Sequence, residues 1–177
     1  LRVTSDAFMN VASGRVASVA SVIVDDGSDR LLTKVGSGAL WLQGTNTYPG
    51  VTRIEDGVLA VAALADAGVP SALGAYAAAG AGGVELVNGT LRYTGASTTV
   101  NRGLTLKGST GTLDVSSPGV TLAIGESECA DFSGTLSMTG ASGSRLDMAR
   151  ITLVEGVNLT LNPTGLVVSV ASALGAT

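Results

Sequence analysis

Apolar residues in this chain recur as pairs two positions apart, and the pairs return at a near-constant interval. Leu91 and Tyr93, Leu113 and Val115, Leu136 and Met138, and Leu159 and Leu161 form one series, its members about 22 residues apart. Leu104 and Leu106, Leu122 and Ile124, Leu146 and Met148, and Val168 and Val170 form a second, with a first gap of about 18 residues and later ones of about 22. A spacing of two is the side-chain period of a β-strand. A strand pattern that returns at one interval describes a coiled path, each lap stacking its apolar pairs on the lap before. Two registers sharing one period predict two strand faces per coil. Arg92, Asp114, Ser137, Asp147 and Thr160 lie between the paired residues and are polar, as the solvent side of a half-buried strand requires.

The same grammar is densest in LTKVGSGALWLQGTNTYPGVTRIEDGVLAV, residues 32–61. Leu40 and Leu42, Thr52 and Ile54, and Leu59 and Val61 are the pairs, and Gly36, Gly38, Gly44, Gly50 and Gly57 punctuate them. The reading is an all-β, right-handed parallel β-helix of about 7–8 coils. Upstream, Val16–Val19 and residues 21–24 read as strands. Residues 62–82 are alanine-rich and interrupted by Gly68, Pro70 and Gly74, which predicts a protruding loop with at most a turn or two of helix. An inert insertion between coils is the plainer account of that loop, although a loop on a rigid scaffold is also where contacts concentrate.

Residues 32–61 also resemble a known family. Leu32, Thr33, Lys34, Gly36, Gly38, Leu40, Leu42, Gly44, Asn46, Tyr48, Gly50, Thr52, Gly57, Leu59 and Val61 fall on the autotransporter-associated β-strand repeat of bacterial surface passenger domains. VPSALG at residues 69–74 and NGTLRYTG at residues 88–95 are similar, more loosely, to segments that follow that repeat. The resemblance implies a right-handed parallel β-helix at an extracellular bacterial surface. It implies no catalytic mechanism. Because the chain opens at Leu1 without a methionine, residues 1–177 read as one β-helix segment of a longer surface protein.

Composition agrees with a narrow coil. Aromatic residues are 3% and charged residues 14% of the chain, against roughly 25% charged in ordinary globular domains. The net charge is −4, and the basic residues are scattered. Nucleic acid is therefore not an expected partner. The longest apolar-rich stretch is broken by Asp66, Gly68 and Pro70, so the chain is not expected to span a membrane. Flanking coils or a neighbouring copy are the expected partners, with host or cell-surface glycans or proteins as further ones.

The absence of histidine removes Ser-His-Asp and Cys-His catalysis and imidazole ligands together. Cys129, alone in a turn-like acidic stretch, is not read as a nucleophile. Asp25, Asp26 and Asp29 crowd one corner without the spacing of an EF-hand, and a solvated turn accounts for them. Glu126, Glu128 and Asp131 form the one carboxylate group with the composition for glycoside chemistry, but an acidic loop explains them as well. Trp41 lies between two inward leucines and so points outward, either to cover a neighbouring rung or to stack on a sugar. Arg53, Glu55 and Asp56 read as solvated decoration. No catalytic, metal or cofactor residue is assigned. The functional expectation is a non-catalytic structural or adhesive segment. A carbohydrate-active β-helix, whether lyase, hydrolase or tailspike-like, and a self-assembling fibre module are the alternatives.

Overall fold

The computed structural model describes residues 1–153, 159–171 and 173–175, with the side chains of Leu159, Leu161 and residues 173–175 outside that description. In chain order the strands are β1 Ala7–Asn10, β2 Val16–Val19, β3 Leu32–Val35, β4 Ala39–Leu42, β5 Thr52–Ile54, β6 Val58–Val61, β7 Val84–Leu86 and β8 Thr90–Tyr93. They continue as β9 Thr98–Thr99, β10 Thr105–Val115, β11 Thr121–Gly140, β12 Arg145–Leu153, β13 Leu159–Thr164, β14 Val167–Val170 and β15 Ala173–Gly175. Every pairing between them is parallel, and they wind into a β-solenoid of about seven turns. The expected parallel β-helix is the observed architecture.

The coil has three faces, not two. One runs through β1, β3, β5, β7, the start of β10, the middle of β11, the end of β12 and β15. The second runs through β2, β4, β6, β8, the end of β10, the end of β11 and β13. The third holds β9 and the starts of β11 and β12, followed by β14. In the early coils this third side is only the isolated bridges Arg2 to Val24 and Asn46 to Ser71. Residues 21–24 are consequently not a strand, while β1, which the sequence did not mark, is one. The short first gap of the second sequence series now has its reason. Leu104 and Leu106 belong to the first face, whereas Leu122, Leu146 and Val168 stack on the third.

Inside, Leu40, Leu59, Leu91 and Leu113 form one column and are 1–5% exposed. Ile54, Leu86, Leu106 and Cys129 form another and are 0% exposed. Each such buried side chain contributes about 1.5–3 kcal/mol of transfer free energy. Leu42, Val61, Leu136 and Leu146 are also buried as the alternation required; the inward place expected for Leu159 lies outside the described residues. Trp41, Arg53, Arg92, Asp114 and Asp147 face outward and are half-buried. Arg53 is not free decoration: Glu85 receives Arg53 at 2.6 Å and Lys107 at 2.7 Å, tying three successive coils.

Cys129 is not in a turn. The 20-residue β11 continues through it, bent by irregularities where Ala130 lacks a partner and where Ser109 meets the Ser133–Gly134 step. These bulges shift the next coil, so Leu113 stacks on Met138 and Gly111 on Leu136. Burial first, and Glu128 second, push the Cys129 thiol up to about 11.

Candidate functional site

The alanine-rich stretch is a loop without helix, and it does not stand away from the coil. Its glycines Gly68, Gly74 and Gly80 take positive φ, which a helix excludes. Leu73 and Ala72 turn inward and are 1% and 3% exposed. The step from Ile54 to Leu86 is 32 residues because this loop is spliced between those rungs.

Three buried or anchoring polar residues hold it. Arg102 is 5% exposed and donates to the carbonyls of Leu73 at 3.2 Å, Asp66 at 3.3 Å, Val69 at 3.0 Å and Gly74 at 2.9 Å. Asn101 receives the amide of Ala67 and donates its own amide to Asp66, each bond near 2.7–2.8 Å. Asn46 is 1% exposed; its Oδ1 accepts from the Ile23 amide, its Nδ2 donates to the Ala72 carbonyl, and its amide donates to Ser71. One side chain thus spans three coils. Lys34 does a similar task at a corner, donating to the carbonyls of Val35, Gly36 and Asp56. Burial lowers its pKa below that of an ordinary lysine. Buried polar groups of this kind persist only when paired.

The docked loop leaves a cleft on each side. The larger encloses about 710 Å³ against the third face. Thr99, Ala123, Asp147 and Ser169 form part of its floor, and Asp66, Gly80 and Glu126 line it as well. The smaller, about 230 Å³, is lined by Trp41, Leu42, Gln43, Ala62, Ala63 and Ala72. A void inside the coil, beside Arg102, measures about 20 Å³, room for about one water and no substrate.

Of the acidic trio, only Glu126 lines the larger cleft. It pairs with Arg150, while Glu128 accepts from the Thr105 hydroxyl at 3.1 Å and Asp131 is exposed beyond the bulge at Ala130. The other cleft carboxylates are also engaged. Asp66 accepts from the Asn101 amide, and Asp147 receives Arg145 and Ser169. The Arg145 hydrogen bond holds Asp147 below the usual carboxylate range. A general acid for glycoside cleavage needs the opposite shift. At the acidic corner, Asp25 accepts from the Gly27 amide and Asp26 from Ser28 and Arg30, so those carboxylates serve the turn. The Arg30 hydrogen bond brings Asp26 down to about 2.

Sequence reasoning left the roles of Arg102, Asn46 and Lys34 unread. The two-residue period did carry a signal for Lys34 and Asn46. Each stands two positions from an inward apolar neighbour, Leu32 and Tyr48 respectively. Arg102 carried it too, standing two positions from Val100 and from Leu104, but its partners, carbonyls up to 36 residues away, left no mark in the sequence.

Residues 32–61 match the passenger-associated-transport-repeat family model. The chain is 35% identical over 144 residues to an adhesin autotransporter, BmaC, of Brucella suis biovar 1 (strain 1330). The match covers 80% of this chain and 4% of that relative, so the chain spans a small part of the protein it resembles. No solved structure matches it.

Proposed function

We propose that this chain, which carries an autotransporter passenger-type repeat at residues 32–61, is a non-catalytic β-solenoid segment that spaces and presents adhesive surface outside a bacterial cell. The observation that carries this reading is the 35% identity to an adhesin through 144 residues, far beyond the repeat itself. A surface-exposed or secreted place follows from the same likeness. The engaged carboxylates of the larger cleft support the non-catalytic half. The docked loop supports the adhesive half, because it borders two concave surfaces.

Inert particles coated with the chain test the adhesive half. They are expected to bind bacterial or host cell layers above the level of particles coated with an unrelated β-protein. Equal binding would remove adhesion and leave presentation alone.

The first coil calls for a cover. Phe8 is 68% and Val16 71% exposed, and among the described residues β1 and β2 each pair with one neighbour only. Open strand edges of this kind invite a further strand. Flanking coils of the same polypeptide or a neighbouring copy are the proposed cover. Sedimentation of the 177-residue chain is expected to show association that rises with concentration, and Phe8→Lys should weaken it. A monomer at every concentration would count against a neighbouring copy.

A further inference from the structure

The smaller cleft has the chemistry of a sugar subsite. Trp41 points out of β4, outside the hydrophobic core. Its neighbours in register are Ser18 on one side and Ala60 on the other, both too small to cover an indole. Instead the loop supplies Ala62, Ala63 and Ala72 beside it, so the cleft is walled by methyl groups and one aromatic ring. Gln43 adds a polar edge. Its Oε1 accepts from the Ser18 hydroxyl at 2.9 Å on the outer surface, and among the described residues nothing accepts from its NH2 group. No lining residue is charged.

These features select a ligand class. A flat aromatic face takes an apolar, C–H-bearing face, and an amide donor at the edge takes a hydroxyl or ring oxygen. An uncharged wall offers neither an anion nor a cation an ion pair, and one indole gives a cation a single face rather than an aromatic cage. The volume of about 230 Å³ is below the roughly 300–1,000 Å³ of drug-sized sites, which suits one ring rather than a chain. We propose that Trp41 and Gln43, with Ala62, Ala63 and Ala72, form a subsite for a single neutral hexopyranose ring. The proposal deepens the adhesive reading and rests on it.

Trp41 is the single tryptophan of the chain, so its emission reports the site directly. Titration with methyl glucoside, galactoside and mannoside is expected to change that emission saturably for at least one sugar, at millimolar concentration. Saturation-transfer NMR gives a second readout that does not need the indole. By that readout Trp41→Ala should weaken binding at least about tenfold, with an unchanged melting temperature. Trp41→Tyr should retain part of it, and Ala63→Leu, at an exposed wall position, should block it. Absence of a saturable signal for all three sugars at about 100 mM, an affinity too weak to matter even for multivalent display, would overturn the proposal. So would binding that survives Trp41→Ala. Either failure leaves particle adhesion to be judged on its own, because that assay does not depend on these sugars.

Discussion

Removing the guanidinium of Arg102 would take a donor from four backbone carbonyls at once; Gly74 and Asp66 keep the amides of Ser71 and Val69, while Leu73 and Val69 lose the donor Arg102 gave them. Arg102→Met is therefore expected to destabilise the chain by about 3 kcal/mol, seen as a lowered urea midpoint, and to open the loop to proteolysis near Val69. A midpoint unchanged from wild type would mean the loop is held otherwise. Tyr48 gives a second residue-scale test. It is 2% exposed, donates or accepts a 2.7 Å hydrogen bond with Thr52, and burial raises its pKa from 10.0 to about 12. Below pH 10 both folded and unfolded states hold the phenol proton. Between pH 10 and about 12 the unfolded chain releases it and the folded chain does not, so stability falls through that window by up to about 3 kcal/mol. Cys129 adds to the fall in the same direction from its ordinary value of 9.0 upward, and Lys34, whose pKa is lowered, opposes it. Denaturation of Tyr48→Phe at pH 9 and pH 11.5 should show a smaller loss than wild type. An equal loss would assign the slope to other groups.

Alternation along a strand makes sharp contrasts between neighbours. Leu113 is 2% exposed in the column beneath Leu91, and Leu113→Ala should cost about 2–5 kcal/mol. Asp114 beside it pairs with Arg92 at 2.7 Å and Ser116 at 2.8 Å on the outer surface, so Asp114→Ala should cost about 1 kcal/mol or less. Equal midpoint shifts would mean the register is wrong. Close stacking is tested at Gly103, where any Cβ would overlap the carbonyl oxygen of Glu126 in the next coil. Gly103→Ala should cost about 3 kcal/mol or more, from backbone that has to move rather than from a side chain. This strand-level order was legible because inward Leu, Val, Ile and Met stand two apart with little to blur them. The third face was not legible. In the early coils it is only isolated bridges, and its strands begin at Thr98; on the other two faces the 32-residue step from Ile54 to Leu86 and the bulge at Ala130 displace pairs that looked aligned. The docking of the loop was also hidden, since it depends on backbone carbonyls, which leave no mark in a sequence.

At the scale of the whole molecule, a filled core leaves function to the outer surface. Among the described residues the stacked columns of Leu, Ile, Val and Met are buried, the void beside Arg102 measures about 20 Å³, and the clefts beside the loop open outward. The larger cleft holds three carboxylates, each already committed to a neighbour. A solenoid of this build, serving the proposed role, is expected to leave any bound polysaccharide unchanged. The most direct measurement is turnover of a broad panel of bacterial and host polysaccharides by the 177-residue chain, followed as new reducing ends and as unsaturated uronate. The account predicts neither product from any polysaccharide. Turnover that disappears in Glu126→Gln, with circular dichroism and melting unchanged, would contradict it and make the larger cleft an active site.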